Sequence, residues 1–356
     1  MKKYKKYSLW FIGLVGIVVL FHLIIWNTIT KYIFPKDHDI GDLGRMSYKL
    51  DSLLPRKNIN TLNKKHFNFD EWDDKSVDIL TIGDSFSNGS GGGKNTYYQD
   101  YLSSNYSLNI LNIQNIKPAN NYLETIYMLN NSHLLDKIKP KIIIVESTES
   151  EVLNRFSIDI INKNINMNQK DLINLLKRNK YKTKKVNIDI INNLNFNALK
   201  YTLLFNYDDN AYGSNCYISK LNKNLFSSKD SKSLLFYKQT IPYNKSITKE
   251  SINQLNENLN DLATMLKDKG IKLYFMPAVD KFNLYSKYIV NNVYPKNTFF
   301  EHIRYMKKEY KFIDTKSILE REIDKGVKDI FYPDDTHWSY KASEAISKSL
   351  QEVKRE

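Results

Sequence analysis

Two kinds of apolar pattern run along this chain. The first is a single unbroken stretch, residues 9–26, interrupted only by small residues and His22. As a helix it is long enough to cross a hydrocarbon core of about 30 Å. The second is a series of short runs at 77–82, 108–113, 142–146, 271–276 and 312–313, rich in β-branched or aromatic residues as buried strands are. Helical patterns lie between them. From about Thr248 to Lys269, Ile252, Leu255, Leu259, Leu262 and Leu266 step by three and four, with Thr248 as a cap and Gly270 as a stop. The final helix starts near Tyr340, carries Ala342, Ile346, Leu350 and Val353 on one face, and has Ser339 as its cap. Strands alternating with helices predict a mostly parallel sheet covered on both faces.

Lys2, Lys3, Lys5 and Lys6 precede the apolar stretch, and positive charge is retained on the cytoplasmic side. Asn27, Thr28, Ile29 and Thr30 follow it in place of a small-x-small cleavage site, which predicts an uncleaved anchor rather than a signal peptide. The main domain is therefore expected outside the cytoplasmic membrane. The chain divides into a cytoplasmic tail and anchor at 1–35, a polar stalk at 36–76 with a short amphipathic piece at 43–54, and a domain at 77–356. An Asn- and Lys-rich insert at about 156–245 reads as a partly helical cap over the sheet. His22 receives no role.

With 356 residues, 42% of them hydrophobic, the chain has the makings of a folded core. Lys and Arg outnumber Asp and Glu by 53 to 39, but the excess is spread evenly and forms no basic-aromatic motif, so nucleic acid is not expected as a partner. Cys216 is the only cysteine, which excludes an intramolecular disulfide. No His, Cys or Asp cluster has metal-ligand spacing, and neither a metal nor a cofactor is expected.

Two short motifs carry candidate chemistry. The run at 77–82 leads into Gly83-Asp84-Ser85-Phe86-Ser87-Asn88-Gly89. A serine at the C-terminal end of a first parallel strand stands in the crevice where open α/β sheets hold their ligands. The glycines at 91, 92 and 93 do not make a P-loop, because Lys94 is followed by Asn95. Some 250 residues later comes Tyr332-Pro333-Asp334-Asp335-Thr336-His337-Trp338-Ser339. A serine hydroxyl becomes a nucleophile when an imidazole takes its proton, and the imidazole needs a carboxylate to fix its tautomer. This octapeptide supplies His337 and two aspartates, and the sequence does not choose between Asp334 and Asp335.

Gly83-Asp84-Ser85-Phe86-Ser87 near the start of the domain and Asp334-Asp335-Thr336-His337-Trp338-Ser339 near its end resemble the SGNH (GDSL-like) hydrolase superfamily. Within it, the chain is most similar to the alginate O-acetyltransferase-like branch, with residues 139–149 and 276–285 matching in style. The resemblance implies a flavodoxin-like three-layer α/β/α sandwich, with Ser85 as the acyl-accepting nucleophile, His337 as its base and Asp334 or Asp335 as the orienting group. It further implies a polysaccharide or glycan acceptor, and a multipass membrane acyltransferase that passes acetyl groups to the anchored domain. An esterase with the same site and a glycan-binding or assembly protein with a vestigial one are the alternatives. SGNH esterases carry oxyanion donors in a second-block glycine and a Gly-x-Asn-Asp block, which this chain lacks; its third strand ends in Glu146-Ser147-Thr148-Glu149. The Ser85 N–H with Asn120 or Asn121 is the expected substitute. Glu149 and Arg155 are substrate candidates or a salt-bridged helix start, and Trp338 a sugar-stacking or core aromatic. Asp280 and Lys281 follow a strand end on the ligand side.

Overall fold

The computed structural model describes residues 2–34, 40–89, 91–179 and 188–355. Among these described residues eight strands form: β1 (Phe67–Asn68), β2 (Ile79–Ile82), β3 (Ile110–Ile113), β4 (Ile142–Thr148), β5 (Cys216–Lys220), β6 (Ser233–Tyr237), β7 (Lys272–Ala278) and β8 (Lys311–Phe312). Six of them make one sheet in the order β1-β3-β2-β4-β7-β8, parallel at every pairing. The expected parallel α/β sheet is thus present. β2 and β3 are buried at every residue, and so are the first six residues of β4, because helices cover a parallel sheet and leave its strands no solvated face.

The Lys249–Lys267 helix forms where its apolar spacing predicts. Thr248 accepts from the Ser251 N–H at 3.1 Å, and the Ser251 hydroxyl returns to the Thr248 N–H, closing the first turn. Ile252, Leu255, Leu259, Leu262 and Leu266 are all buried, each contributing about 1.5–3 kcal/mol relative to exposure. This helix packs on Tyr122–Asn131 and on β7. A second group joins Tyr98–Tyr106, Tyr340–Ser349 and Thr315–Asp324.

The segment read as a stalk departs from expectation. Its residues 36–39 lie outside the described residues; from Ile40 onward it is wrapped on the domain. Gly41 and Gly44 donate to Asp334 through the carboxylate (3.0 Å) and the backbone carbonyl (2.8 Å). A Cβ on Gly41 would come within 2.0 Å of that carbonyl oxygen. Arg56 donates to both carboxylate oxygens of Asp334, at 2.8 and 2.7 Å, with its side chain 1% exposed and that of Asp334 fully buried. Phe67 and Asn68 then add β1 to the sheet edge. The contacts of Gly41 and Arg56 with Asp334 join residues 293 and 278 positions apart, which local periodicity does not register.

The insert contains the helices Gln169–Arg178, Leu194–Leu204 and Thr240–Ser246 and the antiparallel hairpin β5–β6. The hairpin is seated by Phe236, whose ring lies 4.8 Å from that of Phe282. At the N-terminus, Lys3–Ile33 is one helix of 31 residues, long and apolar enough to cross a membrane.

Arg56→Ala would leave Asp334 buried without its cation and should cost about 3–5 kcal/mol, read as a lower denaturation midpoint of the full chain. An unchanged midpoint would mean that residues 40–56 do not belong to the folded domain.

Candidate active site

β2 delivers the chain to a turn at 83–88 whose shape is set by one buried carboxyl group. Glu146 comes from the neighbouring strand β4, where Val145 pairs with Ile82. Its Oε2 accepts from the Asp84 N–H (3.0 Å), the Ser87 N–H (3.1 Å) and the Ser87 hydroxyl (2.8 Å). Gly83 is required at its position, since a Cβ there would come within 2.3 Å of both Glu146 Oε2 and Ser87 Oγ. Burial, and then the charge of Asp84, push the Glu146 carboxyl well above the ordinary range. Asp84 tightens the turn by accepting from the Phe86 N–H through Oδ1, and from the Thr148 N–H and the Arg155 guanidinium through Oδ2. With these amides engaged, the Ser85 N–H has no acceptor among the described residues. It is the donor left for negative charge developing beside Ser85.

The Ser85 hydroxyl meets His337 Nε2 at 2.8 Å. Across the ring, Nδ1 lies 2.7 Å from Asp335 Oδ1, which also accepts from the His337 N–H at 3.0 Å. Asp335, two residues before the histidine, is therefore the aspartate that holds it. Asp334 faces the other way, into Arg56. The same guanidinium reaches Asp335 Oδ2 at 3.2 Å and stacks on Tyr332, 4.3 Å from the ring centre. From below, the Lys281 ammonium donates to the carbonyls of Tyr332, Pro333 and Asp335 at 2.9, 2.9 and 3.0 Å.

Asp42 supplies a further carboxylate. It accepts from the Thr336 N–H and hydroxyl, and its Oδ2 lies 4.0 Å from His337 Nδ1. Burial opposes the charged imidazolium, but Asp335, then Asp42 and Asp84, outweigh it and raise His337 to about 9. Burial and the charge of Asp335 push Asp42 up to about 6. Burial brings Lys281 down to about 8 against the pull of Asp334 and Asp335.

Above Ser85 opens a cleft of about 360 Å³ lined by Asp42, Ser85, Thr148, Tyr237, Asp280 and His337. Asp280, predicted on the ligand side, does line it, while also capping Lys281–Tyr285 and accepting from the Thr240 hydroxyl. Lys281 is 1% exposed and points under the Asp334–Asp335 loop, so it supports the site without reaching a ligand. Glu149 is fully buried and pushed up to about 8 by burial. It accepts from the Asp280 N–H and the Asn283 amide, which ties β4 to β7 rather than binding substrate. Trp338 is 2% exposed, edge-on to Phe86 at 4.5 Å: a core aromatic, with no face for a sugar ring. Neither Asn120 nor Asn121 lines the cleft; the Asn121 Oδ1 caps the Tyr122–Asn131 helix, and its Nδ2 is buried away from the cleft without a partner.

Sequence reading missed Asp42, Arg56 and Glu146. Asp42 and Arg56 sit in the apparent stalk without any local pattern. Glu146 did carry a signal, a lone carboxyl at the end of Ile-Ile-Ile-Val, where burial demands partners. Among the described residues one group has metal-ligand proximity, Asp42, Asp335 and His337. There His337 Nδ1 is already engaged by Asp335. No family model, no curated protein and no solved structure matches the chain.

Hydroxyl, imidazole and carboxylate in line have the geometry to move a proton from Ser85 to His337 and to hold the imidazolium that forms. Asp335→Asn should slow the reaction of Ser85 with an activated acetyl ester by about 10³–10⁴-fold by favouring the wrong imidazole tautomer. Asp334→Asn should act mainly on the denaturation midpoint. Equal kinetic losses in the two variants would contradict the division of roles.

Because the base must be neutral, the rate of that reaction should climb with pH and level off above about 9. Asp42→Asn removes negative charge near the imidazolium and should move the climb to lower pH, as a pH–rate profile of the two proteins would record. The raised His337 also stabilises the fold fully below its unfolded value of about 6.5, and this contribution is lost as pH rises through about 9.

Proposed function

We propose that this chain is a membrane-anchored, extracytoplasmic O-acetyltransferase of the SGNH type that acts on an exported polysaccharide or another cell-envelope glycan. The observation that carries the reading is the line Ser85 Oγ, His337 Nε2/Nδ1, Asp335 Oδ1, with contacts of 2.8 and 2.7 Å. Its place in the sheet supports the fold assignment. Leaving aside the edge strand β1, the order β3-β2-β4-β7-β8 is the 2-1-3-4-5 order of flavodoxin-like sheets, whose ligands sit at the first strand's carboxyl end. Connections β2 to β3 and β3 to β4 run in opposite directions across the sheet, so right-handed crossovers put their helices on opposite faces, as a three-layer sandwich requires. The lysines before the apolar helix support a cytoplasmic N-terminus and an outward-facing domain.

In this mechanism Ser85 Oγ attacks an acetyl carbonyl while His337 Nε2 takes its proton. Negative charge on the carbonyl oxygen is met by the Ser85 N–H, and the leaving group departs with the proton from Nε2. A sugar hydroxyl then gives its proton to Nε2 and attacks the acetyl-serine ester. The acetylated sugar leaves and Ser85 recovers its hydrogen from His337. A multipass membrane acyltransferase is the expected acetyl source, which an anchored domain is suited to meet. Transfer is favoured over hydrolysis because β4 and the residue after it read Glu146-Ser147-Thr148-Glu149 in place of the esterase Gly-x-Asn-Asp block.

The test uses the detergent-solubilised full chain, a chromogenic acetyl ester and oligosaccharide acceptors, followed by intact mass. Wild type should gain an acetyl group that passes to the sugar, and Ser85→Ala should gain none. Release to water alone would replace the transferase with an esterase. Absence of any Ser85-dependent adduct would leave a binding or assembly role.

A further inference from the structure

We infer that the Leu194–Leu204 helix and the turn before it lie in the outer leaflet of the bilayer, making the insert a second membrane contact beside the anchor. The inference rests on the reading of Lys3–Ile33 as a membrane span. A helix lying in the plane of the bilayer interface sinks its apolar side chains about 5–10 Å into the boundary between headgroups and acyl chains and leaves its polar ones at headgroup level. This helix, Leu-Asn-Phe-Asn-Ala-Leu-Lys-Tyr-Thr-Leu-Leu, has one charge. Its protein side carries Asn195 and Ala198, both fully buried, while Phe196 (53% exposed) and Leu203 (52%) project outward beside the exposed Asn197, Lys200 and Thr202, as does Ile191 (58%) in the preceding turn, a mixture suited to the boundary between acyl chains and headgroups.

Contacts with the anchor fix the depth. Asn195 is hydrogen-bonded to His22 at 2.9 Å, and Phe196 stacks on Phe21 with ring centres 4.8 Å apart. Lys6 and His22 are separated by 16 positions, about 24 Å along a helix rising 1.5 Å per residue. With Lys6 at the cytoplasmic boundary, His22 stands inside a hydrocarbon layer of about 30 Å, near its outer edge. Phe196 stands there with it. The His22–Asn195 bond then gives each polar side chain a partner at a depth where water supplies none. Further along, Tyr201 stacks on Tyr48 at 5.9 Å beside Ile33, where an interfacial aromatic is at home.

The arrangement reaches the site. Tyr201, Leu204 and Phe205 pack in one cluster with Leu43 and Met46, which belong to the short helix Asp42–Ser47. Asp42 and Met46 line the cleft over Ser85. A lipid-seated helix therefore abuts the element that holds Asp42 near His337, and the cleft is kept close to the membrane surface.

The test places single reporter cysteines, labelled with an environment-sensitive fluorophore, at Ile191, Phe196 and Leu203 of the full chain in phosphatidylcholine vesicles. Leu14 serves as the reference inside the span and Tyr305, 84% exposed on the domain, as the reference in water. Cys216 is buried, its thiol pushed up by burial, and stays unlabelled. Nitroxides on the lipid acyl chains should quench the three sites as they quench Leu14, and iodide should quench only Tyr305. Iodide quenching at 191, 196 and 203 with Leu14 protected would overturn the inference by showing that the face is open to water. If Leu14 itself is open to iodide, the span fails, and the anchored reading falls with it.

Discussion

The guanidinium of Arg56 bridges two adjacent buried aspartates, and the placement of His337 against Ser85 depends on that bridge. Asp334 and Asp335 are consecutive, and like charges so close in a low-dielectric interior oppose one another's ionisation. Arg56 meets Asp334 with two short hydrogen bonds and Asp335 with a longer one, so both carboxylates have a cation in reach. Asp335 keeps its other oxygen for His337. Lys281 completes the support without touching either carboxylate. Its three bonds to the carbonyls of residues 332, 333 and 335 hold the loop against the end of β7. A buried ammonium is costly, and the two aspartates nearby help to keep it charged.

A similar economy shapes the turn that carries Ser85. One oxygen of Glu146 gathers two amides and a hydroxyl, and Asp84 gathers two more amides and a guanidinium. Each bond restricts the backbone on either side of Ser85, and the Ser85 amide is left over. Preorganisation of this kind spares the chain from reordering dipoles when charge develops. The other Glu146 oxygen is buried without a partner, which accords with a carboxyl pushed well above the ordinary range by burial and therefore able to stay neutral.

The N-terminal apolar helix and the candidate site both pack against residues 40–56. Residues 40–56 wrap onto the domain beside His337 and Asp334, with Gly41 in a space that admits no larger residue. The apolar helix and the candidate site are thus joined by packed structure on both sides: Tyr48 of this segment on one, the Leu194–Leu204 helix on the other.

How much of this was legible follows from the range of the interactions involved. The apolar helix, the five central strands and the Lys249–Lys267 helix with its Thr248 cap are written in local spacing, because period and capping act within a few residues. Ser85 and His337 were legible as well, each at the end of an element with a distinctive set of neighbours. The choice of Asp335 over Asp334 was not, since both stand within three residues of His337 and only the position of Arg56 separates them. Trp338, Glu149 and Lys281 have residue types that suit a ligand, and packing turned all three inward. Asp42 and Arg56 reach the site from 294 and 279 residues away. By itself the sequence determined which segments become helix, strand and membrane-spanning length. Tertiary structure alone decided which carboxylates and cations share one buried volume, because electrostatic partnership depends on distance in space and carries no period along the chain.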